Sequence, residues 1–293
     1  PGFTLTYHIF GQLSDQQDNV IWICHALTAN SDPSDWWEGL VGKGKLFDPE
    51  QYFIVCANML GSCYGSTYAL SRNPETGAPW FHDFPIITNR DISGAFDLLR
   101  DHLGIDRILM GIGGSLGGQQ LLEWAVMAPD RFQKIVPLAT NARHSPWGIA
   151  FNESQRMAIQ ADQTWTRKDP TAGLDGLRAA RSVALLSYRG YDAYQLTQLD
   201  NSSEMLEGYR ATTYQQYQGK KLVNRFDAFA YWTLSKAMDS QNLGRGRSSL
   251  EDALAGIRAE TLVIAVDTDI LFPPSEQQFI ADHVPGAQLH VIP

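Results

Sequence analysis

At 293 residues, 44 % of them hydrophobic, the chain is long enough to bury its own core as one large α/β domain or two small ones. A formal charge of −9 with no long run of lysine or arginine leaves no electrostatic footprint for nucleic acid or an anionic membrane, so small molecules are the expected partners. Cys24, Cys56 and Cys63 have neither disulfide-framework nor zinc-ligand spacing, no apolar stretch reaches bilayer-spanning length, and no basic segment leads into an apolar one at the start; unpaired thiols, no metal and a cytoplasmic location are expected.

In chain order, the alternating residues Phe3 to Phe10 predict an edge strand, followed by a polar turn to Asn19. Val20 to Cys24 is continuously apolar, as in a strand covered on both faces, and empties into His25-Ala26-Leu27-Thr28. Tyr52 to Asn58 reads as a second buried strand leading into the glycine-punctuated loop Met59 to Thr67, which either approaches the same pocket or is an ordinary loop. Thr88-Asn89-Arg90-Asp91 resembles a capping box, and Ile92, Ala95, Phe96, Leu99 and Leu103 recur at helical spacing until Gly104.

The next stretch organises the rest. Ile108, Leu109, Met110 and Ile112 form a short apolar run, Gly113-Gly114-Ser115-Leu116-Gly117 a turn made almost wholly of glycine, and Leu121 to Val126 a helix that Pro129 stops. A G-x-S-x-G sequence between a buried strand and a helix is the nucleophile elbow. It holds the serine in a strained conformation at a helix N-terminus, where backbone N–H groups stabilise an oxyanion. Ser115 is therefore the candidate nucleophile, with the N–H of Leu116 as one oxyanion donor and that of Leu27 as the second.

Lys134 to Thr140 is a further short strand. From about Arg143 to Gly256 the pattern turns helical and rich in Trp, Tyr, Gln and Arg, and a parallel-type strand resumes at Thr261 to Val266, followed by a helix over 275–284 and a strand over 288–292. The reading is an α/β chain with a mostly parallel, doubly wound sheet: core residues 1–142, an inserted helical lid 143–256, and a second core part 257–293. Folds built on this elbow run serine, acid, histidine along the chain. Asp267 and Asp269 follow the late strand, and the D-x-x-x-P spacing of Asp269 to Pro273 favours Asp269 as the acid.

The histidine belongs after the next strand, where this sequence stops. His290 lies within that strand and points to a sheet face; His25 adjoins the oxyanion loop and shapes it; His144, at the entrance to the lid, is a candidate ligand contact; the other four read as structural or exposed. A serine and its acid are thus legible, while the base is expected to be lacking from these residues and the carboxyl end to be truncated.

His25-Ala26-Leu27-Thr28, Asn58 to Gly65, Gly113 to Gly118, Asn141 to Trp147 with Ile149 to Glu153, and Asp269 to Pro273 together resemble the homoserine O-acetyltransferases of the α/β-hydrolase superfamily. That resemblance implies an α/β-hydrolase fold, a lid arginine and a tyrosine seven residues on that hold the amino-acid carboxylate, here Arg181 and Tyr188, and a histidine in a Gly-His-Asp segment after the last strand. Such an i, i+7 pair shares one helix face, and arginine's planar fork suits a carboxylate. The implied reaction is acetyl transfer from acetyl-CoA, a co-substrate rather than a bound cofactor, to the hydroxyl of L-homoserine through an acyl-serine, an entry step of methionine biosynthesis. The implied assembly is a homodimer built on the lid. Succinyl-CoA as donor, L-serine as acceptor, or a serine esterase on the same fold are the alternatives, because a methylene or two in a pocket shifts selectivity by only about 1–3 kcal/mol.

Overall fold

The computed structural model describes residues 2–293. Its strands are β1 (Tyr7–Phe10), β2 (Val20–Cys24), β3 (Phe53–Ala57), β4 (Ile108–Gly114), β5 (Phe132–Leu138), β6 (Glu260–Val266) and β7 (Gln288–Ile292). Its α-helices are α1 (Pro33–Trp36), α2 (Asn89–His102), α3 (Leu116–Met127), α4 (Pro146–Gln160), α5 (Leu174–Ser187), α6 (Tyr191–Gln198), α7 (Arg210–Val223), α8 (Ala228–Asp239), α9 (Leu250–Ala255) and α10 (Pro274–His283). All strands form one sheet in the order β1-β3-β2-β4-β5-β6-β7, with β1 antiparallel to β3 and every other pair parallel. Strand order reverses between β2 and β4: from β2 the chain moves outward to β3, then returns to β4 and builds away on the other side. At such a switch point the loops beyond two neighbouring strands part and leave a crevice. Leu27 follows β2 and Ser115 follows β4, so the fold itself brings the two together.

The all-apolar strands form because both faces are covered. Along β2, Val20, Trp22 and Cys24 face a large core shared with α2 and α3, while Ile21 and Ile23 face a smaller one closed by Val41 and Phe47. In the larger core Trp124 meets Trp22 and Phe132 edge-on, each at 5.0 Å between ring centroids, which fixes α3 against β2 and β5. The capping box at the start of α2 forms: the Thr88 N–H donates to Asp91 Oδ2 at 2.8 Å and the Asp91 N–H donates back to Thr88 Oγ1 at 3.4 Å.

Two strands differ from expectation. β1 begins only at Tyr7, because the residues before it bond to the loop after β3: Thr4 exchanges hydrogen bonds with Thr67, and the Thr6 N–H donates to Ser66 Oγ. β5 spans 132–138 rather than 134–140, since Ala139 takes a left-handed φ of 42° that ends the strand. Six helices, α4 to α9, lie between β5 and β6. Within them α4 packs on α5 and α5 on α7, whereas α6 buries none of its residues. No helix among the described residues is long and apolar enough to cross a membrane.

Candidate active site

Ser115 stands between the end of β4 and the first residue of α3 with φ 56° and ψ −123°, a conformation costing a non-glycine residue about 1–3 kcal/mol. The flanking glycines make it possible. A Cβ on Gly117 would lie 2.1 Å from the Cys24 carbonyl oxygen and 3.0 Å from that of His25, and one on Gly113 would lie 2.5 Å from the Gly117 oxygen. The first turn of α3 is thus pressed onto the end of β2, which seats the loop bearing Leu27 beside Ser115. The Ser115 hydroxyl makes no hydrogen bond among the described residues, although it sits at the cap position of α3. The Leu116 and Leu27 N–H groups likewise donate to no acceptor among the described residues.

His25 is fully buried. Its Nδ1 lies 2.9 Å from the Ala26 oxygen and its Nε2 accepts the Met59 N–H at 3.3 Å, so the ring fixes the start of the Leu27 loop. The loop after β3 does not line the cavity beside Ser115. It braces the Leu27 loop from behind: Asn58 Nδ2 donates to Ser31 Oγ and to the Tyr64 oxygen, both at 2.8 Å, and Arg225 bridges the Tyr64 hydroxyl and the Thr28 oxygen.

A cavity of about 340 Å³ opens at Ser115, walled by Leu27, Ala139, Tyr188, Asp269 and Phe272. Asp269 Oδ1 accepts the N–H groups of Leu271 at 2.8 Å and Phe272 at 2.9 Å, leaving Oδ2 without a partner among the described residues. Burial raises its pKa despite those two bonds. Asp267 is bonded through its backbone to Ile292 at the mouth of β7 and does not line this cavity.

Tyr188 caps α5 and is 42 % exposed overall. Its hydroxyl is turned inward, where loss of water raises its pKa against the pull of Arg181. Arg181 itself is not among the cavity's lining residues; its guanidinium carbon lies 5.5 Å from the centre of the Tyr188 ring. It makes no salt bridge or side-chain hydrogen bond among the described residues, unlike the lid arginine Arg156, which pairs with Asp239 at 2.6 Å. The half-buried Arg181 guanidinium thus has no carboxylate partner among the described residues.

No histidine among the described residues hydrogen-bonds Ser115 or Asp269. His290 is exposed within β7, opposite Ile264. His144 does not reach the cavity: it is 3 % exposed, packed on Phe272 and surrounded by the amides of Gln119, Asn141 and Asn152 at 3.3–3.4 Å. The fold turns the start of α4 down onto α3, which takes this side chain inward. Burial lowers His25 and His144 from the ordinary 6.5 to about 4. Because the folded values lie below the unfolded one, the unfolded chain binds more protons in this window. Each histidine's contribution is complete above pH 6.5 and falls as the pH drops, by roughly 2 kcal/mol at pH 5. Thermal midpoints at pH 7 and pH 5 should therefore fall less on acidification in His144→Gln than in the parent; equal losses would contradict the buried neutral ring.

Several cavity-lining residues carry no sequence signal of their own: Ala139, which adopts its left-handed conformation as an ordinary alanine, and Arg189, Gly190 and Thr268, which line the cavity beside Tyr188 and Asp269.

A family model described as the alpha/beta hydrolase fold matches residues 19–293. The chain is 52 % identical over 288 residues to the homoserine O-acetyltransferase of Cyclobacterium marinum, covering 97 % of this chain and 81 % of that protein. Among solved structures it is similar to a homoserine O-acetyltransferase from Bacillus anthracis, with a TM-score of 0.88, 24 % identity, and 98 % and 85 % of the two chains covered. It is equally similar to an esterase, E22, at TM-score 0.88 and 23 % identity over 99 % and 87 % of the chains. Those two likenesses speak to the fold alone.

Proposed function

The chain belongs to the homoserine O-acetyltransferases, acyltransferases of the α/β-hydrolase fold, and we propose that Ser115 carries the acetyl group from acetyl-CoA to the γ-hydroxyl of L-homoserine. The observation that carries this reading is the strained Ser115, whose hydroxyl makes no hydrogen bond among the described residues, beside two N–H groups that lack acceptors among them. In the first step Ser115 Oγ attacks the thioester carbonyl as a base takes its proton. The Leu27 and Leu116 N–H groups hold the oxyanion, the C–S bond breaks, and coenzyme A leaves as the thiol after receiving that proton. In the second step the base takes the proton of the homoserine hydroxyl, whose oxygen attacks the acetyl-serine. The ester bond to Ser115 breaks, and Oγ is reprotonated. The base is an imidazole, which the family carries after its last strand, oriented by the unoccupied Oδ2 of Asp269.

Arg181 and Tyr188 hold the homoserine carboxylate, and so give its hydroxyl a high effective concentration at the acyl-enzyme. Unpaired Cys24, Cys56 and Cys63 support a reducing, cytoplasmic setting. Exposed Tyr191, Leu196 and Tyr217 on α6 and α7 support a homodimer built on the lid.

Bisubstrate kinetics test the reading. Parallel double-reciprocal lines are expected, and Arg181→Ala should lower kcat/KM for homoserine by about 10²-fold, the scale of about 3 kcal/mol for a charged hydrogen-bonded pair, while leaving the acylation step intact. Intersecting lines would contradict the acyl-enzyme. An Arg181→Ala loss shared equally by ester hydrolysis would favour an esterase that has no acceptor clamp.

A further inference from the structure

Taking Ser115 and Asp269 as nucleophile and acid, we propose that Thr140 and Gln277 are positioning residues: a buried latch that keeps the elbow and the acid loop in register. The Ser115 conformation persists only if its surroundings over-determine it. Its N–H is shared between the Leu138 and Ala139 oxygens at 3.0 and 3.2 Å, and its C=O accepts both the Gln119 N–H at 3.1 Å and the Thr140 hydroxyl at 2.8 Å. The Thr140 bond is the side-chain contribution to this grip, and it comes from the loop beyond β5. Thr140 reaches that contact only because residue 118 is glycine: a Cβ there would stand 2.7 Å from the Thr140 Cβ and 2.9 Å from its Oγ1.

From Thr140 the chain of contacts passes to the acid. The Thr140 C=O accepts a hydrogen bond from Gln277 Nε2, and Gln277 lies on α10, which begins directly after the loop bearing Asp269. Beside it, Asn141 Nδ2 donates to Glu276 Oε2 at 2.8 Å, so two adjacent residues after β5 bond two adjacent residues of α10. Thr140 and Gln277 are both wholly buried, and Gln277 Oε1 has no partner among the described residues. An unsatisfied buried amide oxygen is a standing cost that leucine at the same place would not incur. Packing alone therefore does not explain a glutamine here. Its donor, which fixes the loop beyond β5 against α10, does. Because small displacements of reacting groups lower rates steeply, loosening this latch should act on turnover rather than on substrate binding.

The test uses the full-length enzyme and p-nitrophenyl acetate as an acyl donor that needs neither coenzyme A nor homoserine. Alongside the parent and Ser115→Ala, the variants are Thr140→Val, Thr140→Ser and Gln277→Leu. Thr140→Val and Gln277→Leu should lower the Ser115 acylation rate by about 10- to 100-fold, with KM within about twofold of the parent. Thr140→Ser, which restores the hydroxyl, should recover the rate to within about threefold. Gln277→Leu loses the unsatisfied Oε1 but leaves the Thr140 C=O without its donor, so its melting temperature should fall by no more than a few degrees, with the protein folded at the assay temperature and the rate loss confined to turnover. Parent-like acylation in Gln277→Leu, or a Thr140→Val loss that serine fails to rescue, overturns the latch. Equal reactivity of Ser115→Ala and the parent would instead overturn the nucleophile reading and the latch with it.

Discussion

Ser115→Ala should reduce kcat for acyl transfer by about 10⁴-fold or more, with binding of acyl-CoA and of homoserine retained. The expectation follows from how little the substitution changes besides the chemistry. Oγ makes no hydrogen bond among the described residues that alanine would lose, and the left-handed backbone is enforced by contacts to the main-chain N–H and C=O, which alanine keeps. Alanine at φ 56° is no more strained than serine, so the variant should fold. Free-thiol release gives the rate and calorimetric titration the binding. A variant that retains activity within tenfold of the parent would remove Ser115 from the mechanism.

Gly117→Ala should be nearly as damaging for a different reason. The added methyl would meet the Cys24 carbonyl oxygen at 2.1 Å and its carbon at 2.8 Å, both backbone atoms of a central strand, so neither side can yield cheaply. Either α3 lifts from β2 or the Leu27 loop shifts, and in both cases the two oxyanion N–H groups no longer converge. Losing one such donor alone costs about 10²–10³-fold in kcat, and overpacking of this kind costs about 3 kcal/mol of stability, which corresponds to a melting temperature lower by roughly 5–10 °C. Gly94→Ala in α2 is the control. Its methyl would meet only the Met127 Cε, at 4.0 Å, so helix propensity should dominate and raise stability by up to about 1 kcal/mol. Similar behaviour of the two alanine variants would contradict the close approach of α3 to β2.

The strand, glycine turn and helix around Ser115 were legible because their causes are local. Glycines are demanded two before and two after the serine, and the apolar runs on either side belong to elements buried on both faces. The D-x-x-x-P loop was legible for the same reason: Asp269 bonds N–H groups only two and three residues on. What pattern could not carry is contact at long range. Thr140 reads as the tail of a strand and Gln277 as a helix surface residue, yet their hydrogen bond joins positions 137 apart in the chain. His144 looked like a ligand contact because it opens the lid segment. Its burial against Gln119 and Phe272 depends on how α4 folds back, which no spacing encodes. Arg181 and Tyr188 stood out through family resemblance; by their own residue types they would pass as a solvated charge and a packed ring, and the structure adds that the guanidinium lacks an acidic partner among the described residues and faces the Tyr188 ring.

The central claim is that Ser115 becomes acylated and then passes the acyl group on. Intact-mass measurement of the full-length protein after brief mixing with acetyl-CoA, parent beside Ser115→Ala, tests it most directly. The account predicts an acetyl-sized gain in the parent, absent in Ser115→Ala, that disappears when L-homoserine is added as O-acetylhomoserine forms. A parent that gains no acetyl group yet still makes O-acetylhomoserine, or an adduct that survives in Ser115→Ala, would contradict it.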